Sequence, residues 1–300
     1  MANVISYAGR YSGELDKMIV QESKTGFLAD NVFKAKFSGA KTVYLPEVSM
    51  VGLGNYDRTS GFAKGDITLT HTPYTLKQER SRQLFIDAQD ADESGVPDLA
   101  GKLVGEYTRT QVIPEIDAFV LSQLYKQADA IGNVKELDPD AAVASLLTVI
   151  NAAEEAVDYD GTTPLVALVS PSMYKALMMS DELQRFISAG EFKQGAVNLK
   201  VKTLNDCAII PVAASRMKSD YVFDEGADTK SGGFVPAEGA VDVSAIVLPK
   251  DSASLVKKVD KVDMHGLGED INRDGYTINY RLYYDLIVKN SRKNTIFALA

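Results

Sequence analysis

Alternating hydrophobic and polar residues mark two long strands in the first third of the chain. Segment 41–50 places Val43 and Leu45 on one face. Segment 67–85 alternates as well, and its hydrophobic positions change parity near Tyr74. Alternation with a period of two is typical of strands that bury one face. We therefore expect the two segments to face each other as a long hairpin.

The segment between these strands supplies little hydrophobic surface for a core of its own. It contains Gly52, Gly54, Gly61 and Gly65, which tolerate positive φ angles. An isolated two-stranded hairpin is at best marginally stable in water. We therefore expect the hairpin to bury its faces against a neighbouring molecule.

Hydrophobic residues recur at intervals of three and four from Asp98 to about Asp129, which predicts a helix. Pro114 lies inside this segment, and proline lacks the backbone N–H and clashes with the preceding turn. We predict one kinked helix of roughly 30 residues, about 45 Å long at 1.5 Å per residue.

A second helix is predicted to open at Asp138, with Asp138 as N-cap and Pro139 in the first helical position. Its hydrophobic residues predict one buried stripe: Val143, Leu146, Leu147, Ile150 and Ala153.

Strands and short helices alternate through the second half of the chain, which predicts an α/β unit with a mixed sheet. Helices are expected from Pro171 and around Leu183 to Ile187. Strands are expected at 164–170, 199–203, 207–212, 221–223 and 243–248, and antiparallel strands at 254–262 and 276–299. Residues 1–40 mix small, polar and isolated hydrophobic residues and are interpreted as an extended arm.

Composition narrows the class of protein. Of the 300 residues, 45% are hydrophobic and 24% charged, which excludes a wholly disordered chain. The sequence contains neither a transmembrane-length apolar run nor a signal-peptide pattern. Cys207 is the only cysteine, so no intrachain disulfide can form. A net charge of −9 argues against strong binding to nucleic acid.

Two acidic patterns are candidate cation sites, and neither is convincing. Residues 270–275 match the first half of a calcium loop, but its twelfth position is Arg281, which favours a turn between strands. The acidic cluster of Asp87, Asp90, Asp92 and Glu93 has the residue types of a metal site or an acid–base pair. A solvated acidic segment before a helix explains it more simply.

No arrangement of residues indicates catalysis. Ser254 and Lys257 spell S-x-x-K, but the companion motifs of that enzyme class are missing. His71 and His265 lack a motif, and Cys207 is expected to pack as a small hydrophobic residue. We predict no enzymatic activity, no cofactor and no bound metal.

The region from Asn55 to Tyr125 resembles the major capsid proteins of tailed phages that infect Gram-positive bacteria. The resemblance rests on the order and spacing of short pieces over about 65 residues. These are Asn55-Tyr56-Asp57-Arg58, Gly61-Phe62, Gly65, Arg80, Arg82, Phe85-Ile86-Asp87, Asp90, Asp92-Glu93 and Pro114-Glu115-Ile116-Asp117. Ser170-Pro171, Tyr174 and Tyr283-Tyr284-Asp285 extend it more loosely.

The resemblance implies an α+β fold, the tailed-phage major capsid fold that encapsulins and the herpesvirus capsid floor share. It has an N-terminal arm, an extended β-hairpin loop, a peripheral domain with a long spine helix, and an α/β axial domain. We map these onto the chain as the arm (1–40), the extended loop and its return (41–96), the peripheral domain with its spine helix (97–137), the axial domain (138–255) and the return strands of the peripheral domain (256–300).

The resemblance also implies a structural protein that assembles into an icosahedral shell around phage double-stranded DNA. Its partners would be copies of itself in pentamers and hexamers, a separate scaffolding protein, a portal, and DNA held without strong or specific binding; no membrane is involved. It would be made in the bacterial cytoplasm and end in the virion capsid. The residues expected at contacts between subunits are Tyr56, Asp57, Arg58, Lys64, Arg80, Arg82, Asp87, Asp90, Asp92 and Glu93.

Two other functions stay open. An encapsulin-like compartment would share the fold and enclose an enzyme in place of DNA. A cytosolic α/β hydrolase would use the acidic cluster, and its activity would depend on Asp90.

Overall fold

The computed structural model describes residues 22–29, 36–38, 42–56, 58–59, 61–62, 64–89, 99–157, 163–180, 187–194, 197–204, 207–224, 232–266 and 274–300. Within them, four α-helices are α1 (Leu99–Tyr107), α2 (Ile113–Ala130), α3 (Ala142–Ala156) and α4 (Pro171–Met179). The strands in chain order are β1 (Lys36–Ser38), β2 (Thr42–Met50), β3 (Ile67–Thr75), β4 (Gln78–Asp87), β5 (Val134–Lys135), β6 (Leu165–Val169), β7 (Ile187–Gln194), β8 (Val197–Leu204), β9 (Cys207–Pro211), β10 (Tyr221–Asp224), β11 (Gly233–Pro236), β12 (Ala245–Pro249), β13 (Ala253–His265), β14 (Gly275–Val288) and β15 (Phe297–Leu299). Short 3₁₀ turns lie at Gly26–Leu28, Ala214–Arg216 and Asn290–Thr295.

The predicted long hairpin is confirmed. Strand β2 pairs with β3 in antiparallel register from Thr42 opposite Thr75 to Met50 opposite Ile67. The predicted strand over 67–85 does not continue in one sheet, because it ends at Thr75 and resumes at Gln78. Strand β4 then pairs with β14 in a separate sheet of order β13-β14-β4. The junction at Leu76 and Lys77 therefore joins the hairpin to the body.

Helices α1 and α2 belong to one continuous helical segment, residues 99–130, which we call the spine helix. The two α-helices are joined by a π-helical turn at Thr108–Val112, immediately before Pro114. A π turn inserts an extra residue into the helix, which relieves the clash of a proline ring with the turn before it. The prediction of one long helix through Pro114 is confirmed.

The predicted α/β unit contains a seven-stranded mixed sheet of order β5-β15-β12-β6-β9-β8-β7. Helices α3 and α4 pack on one face of it, where Ile150, Leu177 and Ala167 belong to one hydrophobic cluster. The spine helix packs on the other face and also against the β13-β14-β4 sheet, as the contact of Phe119 with Tyr284 shows. The spine helix is therefore buried between two sheets.

Three local predictions need correction or qualification. The N-cap assignment of Asp138 is wrong: α3 begins at Ala142, and Asp138 accepts a hydrogen bond from the backbone N–H of Asp140 in a turn. The helix expected around Leu183 lies outside the described residues, except that Ile187 begins strand β7. The last strand, β15, lies in the seven-stranded sheet and not beside β14.

The interpretation of Cys207 as a small, buried hydrophobic residue fits the structure. Cys207 is buried in the core formed with α3 and α4. Strands β13 and β14 pair in antiparallel register across the segment that resembles a calcium loop, and of that segment Asp274 and Gly275 are described. No helix in the described ranges is long and apolar enough to cross a membrane.

Candidate functional site

The outer part of the hairpin is exposed on both faces. Every described side chain over 49–56 and 64–71 is exposed. Several of these side chains are large and hydrophobic: Met50, Val51, Leu53, Tyr56, Ile67 and Leu69, together with Phe62. Leu53 is fully exposed and Phe62 is 87% exposed, while Phe62 and Tyr56 contact each other edge to face at 5.1 Å. Large exposed hydrophobic side chains grouped in one segment are typical of surfaces that interact with another molecule.

The base of the hairpin, by contrast, is buried against the body. Val43 and Leu76 pack into a small cluster with Val256, Tyr283 and Ile287 of the β13-β14 strands. Val43 is fully buried and Leu76 is 3% exposed. The hairpin is thus fixed at its root, and its outer part extends away from the core of its own chain.

Two side chains of β14 hold the junction between β3 and β4. The Tyr283 hydroxyl donates a hydrogen bond to the carbonyl of Leu76 at 3.0 Å. Asp285 accepts one from the backbone N–H of Lys77 at 3.0 Å and one from that of Leu286 at 2.8 Å. Burial raises the pKa of the Asp285 carboxyl, and these N–H groups and Lys77 lower it by less. A cavity of about 570 Å³ lies beside the junction, between residues 73–78 and Phe119.

The buried carboxylate of Asp117 anchors part of the arm to the spine helix. Asp117 is fully buried and accepts hydrogen bonds from the hydroxyls of Ser23 (2.5 Å) and Thr25 (2.7 Å). The backbone N–H groups of Lys24 and Thr25 donate to it at 3.1 Å each, and Arg216 pairs with it at 2.9 Å. Phe27 and Leu28 follow and are buried in the main core. Residues 23–28 are therefore an integral part of the subunit.

Arg80 is satisfied within the chain. Its guanidinium forms a two-point ion pair with Glu115 of the spine helix, with Nε to Oε1 at 2.6 Å. It also donates to the carbonyls of Asp224 (2.9 Å) and Gly233 (3.2 Å). Four hydrogen bonds fix this arginine between the β4 strand, the spine helix and the β10-β11 pair. Its predicted role at a subunit contact stays a prediction.

The structure places the other predicted contact residues in two regions. Tyr56, Arg58 and Lys64 are exposed on the outer hairpin. Arg82 and Asp87 lie on β4; Arg82 is half-buried beside a cavity, and Asp87 is exposed at the end of the strand, where it accepts a hydrogen bond from the N–H of Gln89. The structure does not describe four of the predicted residues: Asp57, Asp90, Asp92 and Glu93.

Sequence reasoning did not recognise the structural role of two carboxylates, the fully buried Asp117 and the partly buried Asp285, although both lie in segments that carry the resemblance. Asp117 lies in a helix among hydrophobic residues, and a charged residue at a position predicted to be buried was the available signal. Asp285 lies at the end of the tyrosine-rich alternation, where the local pattern gives no signal of its contact with Lys77.

Comparisons with known proteins bear on the fold. No protein-family model and no curated protein matches the sequence. Among solved structures, the capsid of cyanophage P-SCSP1u matches with a TM-score of 0.59 and 16% identity, over 88% of this chain and 84% of that one. The mature capsid of bacteriophage PhiM1 matches with a TM-score of 0.56 and 16% identity, over 87% and 82% of the two chains.

A virus-like particle from Pyrococcus furiosus also matches, with a TM-score of 0.50 and 9% identity over 98% of this chain and 99% of that one. At these identities the likeness concerns the fold. The spine helix between two sheets, the projecting hairpin and the α/β unit are the parts that the resemblance in sequence implied. The chain therefore has the α+β major capsid fold of tailed phages.

Proposed function

We propose that this chain is the major capsid subunit of a tailed phage or prophage, and that it assembles with copies of itself into an icosahedral shell enclosing double-stranded DNA. The capsid fold supports the proposal, since the structures that it resembles include two phage capsids. The hairpin is the single observation that carries it. In this role the protein is structural and has no catalytic activity.

The hairpin supports assembly because its exposed hydrophobic residues have no partner core within the described chain. Leu53, Phe62 and Ile67 would each recover about 1.5–3 kcal/mol on full burial. A neighbouring copy can supply that burial at an interface repeated around a closed shell. Obligate interfaces bury ~2,000–5,000 Å² or more, and a long hairpin laid across a neighbour contributes to such an area.

The remaining parts of the proposal follow from charge and context. A net charge of −9 gives a shell that does not bind packaged DNA tightly. A separate scaffolding protein and a portal complete the set of partners. The subunit is made in the bacterial cytoplasm and ends in the virion capsid.

An encapsulin-like compartment is the second candidate. The match to the Pyrococcus furiosus virus-like particle covers almost the whole length of both chains and motivates this alternative. The contents of native particles discriminate between the two functions, because a phage shell encloses DNA and an encapsulin-like compartment encloses protein. The hydrolase alternative would require a hydrolytic rate that depends on Asp90.

Negative-stain electron microscopy with light scattering tests assembly directly. We expect closed shells, or rings of five and six subunits, from the purified protein alone or with its scaffolding partner. A compact monomer under all of these conditions would contradict the proposal.

Variants of the hairpin make the test specific. Leu53→Asp and Phe62→Asp place a charge on the exposed apolar surface, and each should abolish shells and leave a folded monomer. Met179→Asp is the matched control, since Met179 is 70% exposed at the end of α4 and far from the hairpin in sequence. If the hairpin variants assembled as well as the control, the hairpin would not be the contact.

A further inference from the structure

A polar cavity of about 600 Å³ lies between β4, the spine helix and the β10-β11 pair. Arg82, Tyr107 and Gln111 are among the residues that line it, and their side chains carry a guanidinium, a hydroxyl and an amide. None of these three groups has a hydrogen-bond partner among the described residues. All three can donate hydrogen bonds, so the cavity presents unused donors to whatever occupies it.

Arg82 and Arg80 lie two residues apart on the same face of β4 but differ in their surroundings. They pair in register with Tyr280 and Leu282 of β14, whose side chains are buried in the main core. Arg80 is saturated by Glu115 and by two backbone carbonyls. Arg82 is half-buried in the cavity lining, yet forms no ion pair with any described residue.

The other charges that line the cavity are already matched. Glu115 is neutralised by Arg80. Glu79 forms an ion pair with Arg281, and Asp224 is not free of partners. Burial raises the pKa of the Tyr107 hydroxyl, and the charge of Glu115 raises it further. The hydroxyl therefore stays protonated and can donate a hydrogen bond. Within the described residues, Arg82 is the lining charge without a counter-ion.

We propose that this cavity binds an oxyanion, a carboxylate or a phosphate group, through Arg82, with Tyr107 and Gln111 as neutral donors. A guanidinium presents two parallel N–H groups that match the two oxygens of a carboxylate or phosphate. A half-buried cation without a partner is unfavourable, and an anion in the cavity would remove that cost. The volume is within the ~300–1,000 Å³ typical of ligand sites.

This oxyanion has two possible sources. One is an acidic side chain of a second copy of the chain, which rests on the proposed shell function. The other is a free anion from solution. Either anion would make the same contacts with Arg82. A side chain of a second copy would leave no room for an added anion after assembly, whereas a free anion would still exchange with one.

Calorimetric titration of the unassembled protein with inorganic phosphate and with citrate tests the site, in buffers of matched ionic strength. We expect saturable binding by the wild type and at least about tenfold weaker binding by Arg82→Gln, because a charged hydrogen-bonding partner is lost. Arg82→Lys, which keeps the charge without the two-point geometry, should fall between them. Arg109→Gln is the matched control, because Arg109 is an exposed arginine of the spine helix and neither it nor its partner Glu22 lines the cavity.

Arg82→Gln should remain folded, since no described residue depends on Arg82, and circular dichroism with thermal unfolding checks this. Absence of binding by the wild type, or equal binding by the wild type and Arg82→Gln, would overturn the proposal. Neither result would bear on the proposed shell function, because the titration is made on single subunits.

The same titration on assembled particles then identifies the source. Particles that no longer bind phosphate or citrate indicate that a neighbour's carboxylate fills the cavity, and Arg82→Glu should then prevent assembly. Particles that bind both probes as single subunits do indicate a free anion. The shell function is tested separately by microscopy of the wild type, so failure of one proposal does not imply failure of the other.

Discussion

Removal of the Asp117 carboxylate should loosen the anchored part of the arm and destabilise the whole subunit. Asp117→Ala leaves Arg216, two hydroxyls and two backbone N–H groups without their acceptor. Loss of one partner of a buried ion pair costs about 3–5 kcal/mol. Arg216 is 21% exposed and can turn toward water, so we expect the lower end, about 3 kcal/mol.

Urea unfolding and amide hydrogen exchange measure the two parts of this effect. The unfolding midpoint gives the loss of stability, and exchange should show that the amides of Lys24 and Thr25 lose protection first. Asp117→Asn keeps the shape and one acceptor oxygen, so it should lose only about 1.5–3 kcal/mol.

The matched control is Lys126→Gln on the same helix. Lys126 pairs with Asp220 at 2.6 Å, but both side chains are nearly half exposed. An exposed pair contributes about 0–1 kcal/mol, so this variant should unfold close to the wild type. If Asp117→Ala behaved like the control, and its amides over 23–25 stayed protected, the buried carboxylate would not be what anchors the arm.

Three further predictions follow from single residues. Burial raises the pKa of Asp285, so the folded state holds this proton more tightly than the unfolded state does. The free energy of unfolding should therefore fall as pH rises from the ordinary pKa of 3.8 through the raised value. Asp285→Asn should lack this pH dependence when unfolding is measured across the same range. Gly275→Ala should lower the free energy of unfolding by at least ~1–3 kcal/mol, because the added β-carbon would overlap the carbonyl of Ile86. Gly266→Ala is the control, since the added β-carbon meets open space there. Equal stability of the two variants in thermal unfolding would contradict the packing at Gly275. Cys207, whose thiol pKa burial raises to about 12, should react with a thiol reagent near neutral pH only after unfolding, and rapid labelling of the folded protein would refute its burial.

Local periodicity was enough to predict the hairpin and the long helix. Near the base of the hairpin, segments 41–50 and 67–75 have one buried and one exposed face. Neighbouring residues must therefore alternate between hydrophobic and polar, and this local pattern can be recognised in the sequence. The helical repeat through Pro114 is also local, because the spine helix buries hydrophobic residues at every turn. The junction at Leu76 was not predicted, because residues 67–85 alternate as one strand would, even though the hydrophobic positions change parity near Tyr74.

The features that fix the arm and the hairpin could not be predicted, because they depend on contacts between distant parts of the chain. Ser23 meets Asp117 across 94 positions, and Lys77 meets Asp285 across 208. The N-cap prediction at Asp138 failed for a different, local reason. Its carboxylate is used in a turn with Asp140, and helix α3 begins only at Ala142, the first residue from which the helix packs on the sheet.

Two carboxylates, the fully buried Asp117 and the partly buried Asp285, each hold a segment against the body of the subunit. Asp117 holds residues 23–25 and Asp285 holds the root of the hairpin at Lys77, and each does so by accepting backbone N–H groups. A segment held at its root has less conformational entropy to lose when its outer part meets a neighbour. A larger part of the free energy gained by burying the exposed hydrophobic residues between Met50 and Leu69 then remains as binding free energy. On this reasoning, weakening either carboxylate should impair assembly even where the contact residues themselves are intact.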